Sequence, residues 1–272
     1  AIDKDSNVLI VGAGLIGLKC AEGLHDRVES ITVCDLADRV LSSILDTDCA
    51  AIVQRHLEAN GIQFLLGDTA VRFEKNLAQM KSGKTVEFDT LVLAVGVRAN
   101  TTLVKDIGGE VNRGILVNDR METSLESIYA AGDCTEGNDI SLGQKRVLAL
   151  LPNAYMQGHT AGVNMAGGNE VFDKAIPMNS IGFFGLHIMT AGTYEGEMYE
   201  EKSDSTLKRL FTKDGLLKGF ILIGKTERAG IYTSLIRERT PLDTIDFETM
   251  KKVATSVAFS PENRRKKFGG VV

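Results

Sequence analysis

The chain has 272 residues, more than one average domain, and its 43% apolar and 25% charged composition is that of a globular protein of two or three domains. A net charge of −5 gives no electrostatic case for nucleic acid, and no apolar run is long enough to span a bilayer. Four cysteines (Cys20, Cys34, Cys49 and Cys134) show neither CxxC spacing nor a disulfide framework, and no secretory signal precedes the first strand, so the expected compartment is the reducing cytoplasm, with the thiols as small buried hydrophobes.

Asn7-Val8-Leu9-Ile10-Val11 is an apolar run of the length of a buried parallel strand, and it passes directly into Gly12-Ala13-Gly14-Leu15-Ile16-Gly17 and a helix. Gly12 permits the tight turn, Gly14 leaves room for a pyrophosphate to approach the backbone, and Gly17 lets the helix pack closely on the strand, so that the unpaired amides of the helix face the phosphates. Ser30 to Cys34 reads as a second strand that ends on Asp35, at the spacing where an acid meets the adenosine ribose. A carboxylate there accepts bonds from a 2′-hydroxyl and repels a 2′-phosphate, which favours NADH over NADPH; Arg39 is the residue that could instead reach a 2′-phosphate.

Farther along, Asp48 is expected to cap a helix with Ile52, Val53, His56 and Leu57 on one face, ended by Asn60-Gly61, before a strand over Ile62 to Leu66. Val71 to Glu74 and Thr85 to Phe88, around the turn-forming Ser82-Gly83, suggest an antiparallel meander, and Leu91 to Gly96 a buried closing strand. An apolar strand over Ser127 to Ala131 is expected to end on Gly132-Asp133, a glycine for close backbone approach and a carboxylate for a ligand hydroxyl. A helix from Ala154 to Ala166 stops at Gly167-Gly168. Alternation over Thr206 to Thr212, a strand over Phe220 to Ile223 and a helix over Ala229 to Arg239 suggest a small mixed domain with an antiparallel sheet. His25, His56, His159 and His187 lack partners at metal-ligand spacing, so no metal site is expected.

Taken in order, the fingerprint Val8 to Gly17 with Asp35, Leu91 to Asn100, Ile128 to Asp133, and Leu151 to Ala154 with Gln157-Gly158 resemble the FAD-dependent pyridine nucleotide-disulfide oxidoreductase family. Ile181 to His187 and Leu216 to Gly224 look most like its NADH:rubredoxin reductase, nitrite reductase and NADH oxidase-like branch. The resemblance implies an α/β fold: a Rossmann-like three-layer NAD(P)-binding domain with a β-meander over 1–97, a partial FAD-binding domain over 98–173, and an α+β C-terminal interface domain over 174–272. Leu15, Ile16, Val95 and Gly96 would join Gly12, Gly14, Gly17 and Asp35 in holding NADH. Gly132 and Asp133 would hold the FAD ribityl chain, with Leu151 and Ala154 beside the flavin ring and His187 a candidate from the interface domain.

In such enzymes hydride passes from NADH to FAD and electrons then pass to an acceptor such as rubredoxin, oxygen or a disulfide. The family inserts its NAD domain into its FAD domain, so the expectation is a fragment, inactive by itself, whose partner is a missing N-terminal FAD half; a homodimer is compatible. The tail, with Arg264-Arg265-Lys266-Lys267, reads as a solvated basic segment rather than a docking site. Where the resemblance implies Gly-x-Glu beside the nicotinamide, this chain has Gly17-Leu18-Lys19, so Lys19 is either a candidate for that end of the site, pairing with an acid of the missing half or favouring another cofactor pose, or a neutral helix-compatible replacement. The alternative is a non-catalytic NAD(H)-binding sensor or assembly module.

Overall fold

The computed structural model describes residues 2–268, and the chain divides into two compact units, one of residues 1–97 with 181–187 and one of 98–180 with 188–272. Residues 269–272, the end of the basic tail, lie outside the described residues, as do the side chains of Lys266 and Lys267.

In the first unit, β1 (Asn7–Val11), β2 (Ser30–Asp35), β3 (Ile62–Leu66) and β7 (Thr90–Leu93) form a parallel sheet in the order β3-β2-β1-β7. Helices α1 (Leu15–Leu24) and α2 (Thr47–Ala59) make the crossovers. Strand side chains alternate between faces. Leu9 and Val11 therefore pack with Ala78, Met80 and Phe88 of an antiparallel meander, while Ile10 on the other face meets α1 at Gly17. The meander consists of β4 (Ala70–Glu74), β5 (Leu77–Met80) and β6 (Thr85–Glu87), so the layers run helix, sheet, meander. Its middle strand, β5, was not read from the sequence. Its inward Ala78 and Met80 are buried between outward Leu77 and Gln79, an alternation too short to register by itself.

The first unit departs from the sequence expectation at two places. The cap of α2 is Asp46, whose carboxylate accepts from Cys49 N at 2.9 Å, and Asp48 sits inside the first turn, where it favours the positive end of the helix dipole. The closing strand β7 ends at Leu93 and is not buried: Leu93 is 63% exposed and Val95 75%, because β7 is an edge of the sheet whose C-terminal end opens onto a crevice.

In the second unit, a short helix α3 (Thr102–Lys105) precedes a three-stranded sheet ordered β10-β9-β8, from β8 (Ile115–Leu116), β9 (Thr135–Asp139) and β10 (Gln144–Arg146). Helix α4 (Leu151–Met165) buries Ala161 in a cluster with Val104, Ile115, Val117 and Phe172. It starts three residues earlier than expected because Pro152 suits a first turn, and it ends, as anticipated, before Gly167 at φ +87°. Ser127 to Ala131 is not a strand: its backbone makes one isolated bridge, Tyr129 with Glu122, and an apolar run without a ladder partner gains no strand hydrogen bonds.

The remaining strands are β11 (Met178–Phe183), β12 (Leu186–Gly192), β13 (Glu197–Lys202), β14 (Leu207–Lys213) and β15 (Leu216–Ile223), ordered β11-β12-β15-β14-β13. Helix α5 (Ala229–Arg237) packs Tyr232, Leu235 and Ile236 on Leu210 and Phe220, and the chain closes with α6 (Phe247–Lys252) and α7 (Pro261–Phe268). This is the antiparallel mixed region that the alternation indicated.

Candidate dinucleotide and flavin sites

In the first unit the crevice opens at the carboxyl ends of β1, β2 and β7. Gly12 has φ +118°, and a Cβ there would lie 2.3 Å from Ala94 O; a Cβ on Gly17 would lie 1.9 Å from Gly12 O. Both positions need hydrogen for steric reasons internal to the protein. Gly14 differs: a Cβ on it would meet nothing within 4 Å, because it faces the open crevice. Gly14 is also the N-cap of α1 without a side-chain cap, and the first helical bond is Leu18 N to Gly14 O. The amides of the first turn are thus left for a ligand, and the helix dipole adds positive potential there.

Asp35 closes the adjacent side. Its Oδ2 accepts from Ala13 N at 2.7 Å and its Oδ1 from Ala37 N at 2.8 Å, which fixes the carboxylate while leaving lone pairs for hydroxyl donors. The crevice has a volume of about 550 Å³, the size of a small-molecule site, and its lining includes Gly12, Gly14, Leu15, Ile16, Asp35, Val95 and Gly96. It thus brings together the residues expected to hold NADH, apart from Gly17, which acts beneath its floor. Leu36, Ser42, Ser43 and Thr69 also line it and were missed. Leu36 and Thr69 follow the carboxyl ends of β2 and β3, where ligands of open α/β sheets gather, so strand order alone could have flagged them.

In the second unit, Gly132 has φ +86°, and its N donates to Gln157 Oε1 at 2.8 Å, while the Thr135 hydroxyl donates to Gly132 O at 2.8 Å. The buried Gln157 on α4 therefore sets the Gly132-Asp133 turn, a role that spacing did not reveal. A Cβ on Gly132 would lie 3.7 Å from the Ala154 side chain, so Gly132 and Ala154 are neighbours. Asp133 is exposed and makes no hydrogen bond among the described residues. The start of α4 has no side-chain cap, Leu151 is 83% exposed, and the buried Oδ1 of Asn153 has no partner among the described residues. A free carboxylate, open helix amides and an exposed apolar shoulder fit a polar chain attached to an aromatic ring.

The profile of the pyridine nucleotide-disulphide oxidoreductases matches residues 2–158. The chain belongs to this family. It is 32% identical over 255 residues to the NADH-dependent phenylglyoxylate dehydrogenase subunit epsilon of Aromatoleum evansii, covering 89% of this chain and 60% of the relative. It is 33% identical to the rubredoxin-NAD(+) reductase of Acinetobacter baylyi, covering 82% of this chain and 58% of the relative. A FAD-dependent pyridine nucleotide-disulphide oxidoreductase from Desulfovibrio vulgaris superposes with a TM-score of 0.81 at 25% identity, over 93% of this chain and 70% of that one. The chain thus spans 60% or less of the length of these two curated relatives.

Other candidates in this family member, His187 apart, have structural partners. Lys19 Nζ pairs with Glu22, donates to Gly182 O at 3.1 Å and lies 5.7 Å from the centre of the Phe183 ring. Arg39 donates to Asp38 at 2.8 Å and to Leu45 O at 3.2 Å. His187 is exposed on the β11–β12 hairpin, His159 pairs with Glu170, and His25 with Asp26. Among the described residues no three His, Cys, Asp or Glu side chains could hold a metal ion, and no helix is long and apolar enough to cross a membrane. All four cysteines are free; burial pushes the Cys20 and Cys34 thiols up, away from the reactive thiolate.

Proposed function

We propose that the first unit binds NADH and that Gly132, Asp133, Leu151 and Ala154 form part of a flavin site, in a protein that passes reducing equivalents from NADH through FAD to an acceptor. The observation that carries the reading is the crevice itself: open space at Gly14, uncapped α1 amides and a fixed Asp35 carboxylate. The amides would take the pyrophosphate and Asp35 the ribose hydroxyls, so this chain's part is to bind and orient the dinucleotide. Asp133 would accept from ribityl hydroxyls, and the turn held by Gln157 would position it. When bound, the flavin supplies the two-electron chemistry.

NADH rather than NADPH is favoured because Asp35 would repel a 2′-phosphate and because Arg39 is engaged by Asp38 and the Leu45 carbonyl. The names of the relatives support an oxidoreductase over a sensor module, and that of the Acinetobacter baylyi relative supports a small redox protein such as rubredoxin as one class of acceptor, beside oxygen or a disulfide. The domain assignments are 1–97 for NADH, 98–173 for flavin and 174–272 for the interface region, and four free thiols support a reducing, cytoplasmic location. Calorimetric titration with NADH and NADPH tests the reading. Saturable binding with NADH the tighter ligand is expected; no saturable binding, or tighter NADPH, would overturn it.

A further inference from the structure

The two residues that turn the β11–β12 hairpin, Phe184 and Gly185, have φ of +46° and +82°, the left-handed pair of a type I′ turn. Glycine or asparagine normally occupies the first of these places. A phenylalanine there is strained, and such strain persists only where the surroundings hold it.

Side chains from α1 and α2 do hold it. Glu22 Oε1 accepts from Phe184 N at 2.5 Å, Lys19 Nζ donates to Gly182 O, and His56 Nε2 lies 3.0 Å from Phe183 O and 3.2 Å from Phe184 O. Carbonyls only accept, so the His56 proton sits on Nε2. The Phe183 side chain is fully buried, and the Phe184 ring meets His25 edge-on at 5.2 Å. Burial pushes the Glu22 carboxyl up, but the bonds from Lys19 and the Phe184 amide outweigh it and hold the group below its ordinary value. Ile16, Lys19 and Glu22 recur every three residues and share one stripe of α1, and Ile16 lines the crevice.

We infer that the hairpin tip 182–184 is a clasp seated on the stripe of α1 that starts at the dinucleotide crevice, with Lys19 and Glu22 as positioning residues that couple seating of the tip to filling of the crevice. Lys19 belongs to this contact through Glu22 and the Gly182 carbonyl. The coupling rests on the NADH reading above. Its physical basis is that a phosphate held by the first-turn amides orders α1, and the clasp residues lie one and two turns along the same helix.

Amide hydrogen exchange of residues 182–186 and of the glycine loop, with and without NADH, tests it in the unmodified chain, Glu22→Ala, Glu22→Gln and Lys19→Met. Tip exchange is expected to rise about tenfold or more in Glu22→Ala, as loss of a charge-assisted bond implies, and less in Glu22→Gln, which keeps an acceptor for Phe184 N. Lys19→Met, at a half-exposed side chain, should shift the tip in the same direction. NADH should slow the tip in the unmodified chain but not in Glu22→Ala, while protecting the glycine loop in both. A tip unaltered by Glu22→Ala and Lys19→Met would overturn the clasp. A protected loop with an unaltered tip would overturn the coupling alone, whereas an unprotected loop would overturn the NADH reading and the coupling with it.

Discussion

Replacing Gly14 and Gly17 separately by alanine should divide ligand binding from folding. At Gly14 the backbone is ordinary extended chain (φ −83°, ψ −172°) and the added methyl meets no protein atom within 4 Å. Alanine is a poorer N-cap than glycine, which costs roughly 0.5–1 kcal/mol. It also restricts the unfolded chain, which returns about 0.4–1 kcal/mol. Net stability should therefore change by less than about 1 kcal/mol. The methyl does enter the crevice in front of the α1 amides, and loss of one charge-assisted phosphate bond, worth about 1.5–3 kcal/mol, weakens binding about tenfold to a hundredfold. At Gly17 the same methyl would lie 1.9 Å from Gly12 O and 3.3 Å from the Ile10 side chain, so strand or helix must move, at a cost of about 1–3 kcal/mol or more. Urea unfolding and NADH fluorescence titration of the two variants measure both quantities. Gly14→Ala that binds NADH within about twofold of the unmodified chain, or that loses stability as Gly17→Ala does, would refute the assignment of this loop to the pyrophosphate.

Asp35→Ala removes the acceptor of two amides, Ala13 and Ala37, and should cost about 1–3 kcal/mol in urea unfolding; titration with both dinucleotides should show the preference for NADH over NADPH reduced about tenfold or more. Gly132→Ala places a methyl in ordinary contact with Ala154 but in the left-handed region, so it should cost roughly 1–2 kcal/mol from strain rather than collision, measured by thermal unfolding. Tyr232 is buried, with its hydroxyl donating to Met250 O at 2.8 Å, and burial pushes its phenol up to about 12 from an ordinary 10.0. Because the folded value is the higher one, this contribution to stability is complete below pH 10 and is lost as the pH rises toward 12. Tyr232→Phe should lower neutral stability by about 1 kcal/mol and flatten that alkaline loss, read from unfolding curves against pH.

The residues of the crevice were legible because the determinants of its shape are local and steric. Gly12 is forced by the backbone of Ala94 just past β7 and Gly17 by that of Gly12, while Asp35 is marked by its place as the last residue of β2. The cap of α2 was harder, since Asp46 and Asp48 are both plausible acids and only the reach of one carboxylate to Cys49 N decides between them. Ser127 to Ala131 has the composition of a strand, but strand formation needs a partner that composition does not report. The clasp was illegible for the same reason: Glu22 and Phe184 are 162 residues apart, and a left-handed phenylalanine contradicts the turn preferences by which hairpins are recognised.

Burial at the end of β7 departs from the sequence expectation for a physical reason. The run Leu91 to Gly96 is apolar throughout, which sequence periodicity assigns to a core. Yet Leu93 and Val95 are exposed because β7 is an edge strand whose carboxyl end borders the crevice. Leu151 and Tyr155 are likewise exposed, 83% and 77%, at the start of α4 in the other unit, where Leu151 was expected beside a ligand ring. Exposing large apolar side chains to water forgoes about 25 cal/mol for each Å² left uncovered, a cost that folding alone gives no reason to bear. Leu93 and Val95 cluster at the carboxyl end of β7, where Val95 lines the crevice, so their exposure is consistent with the ligand face proposed there, whereas scattered exposed side chains such as Leu103 and Val257 call for no such reading.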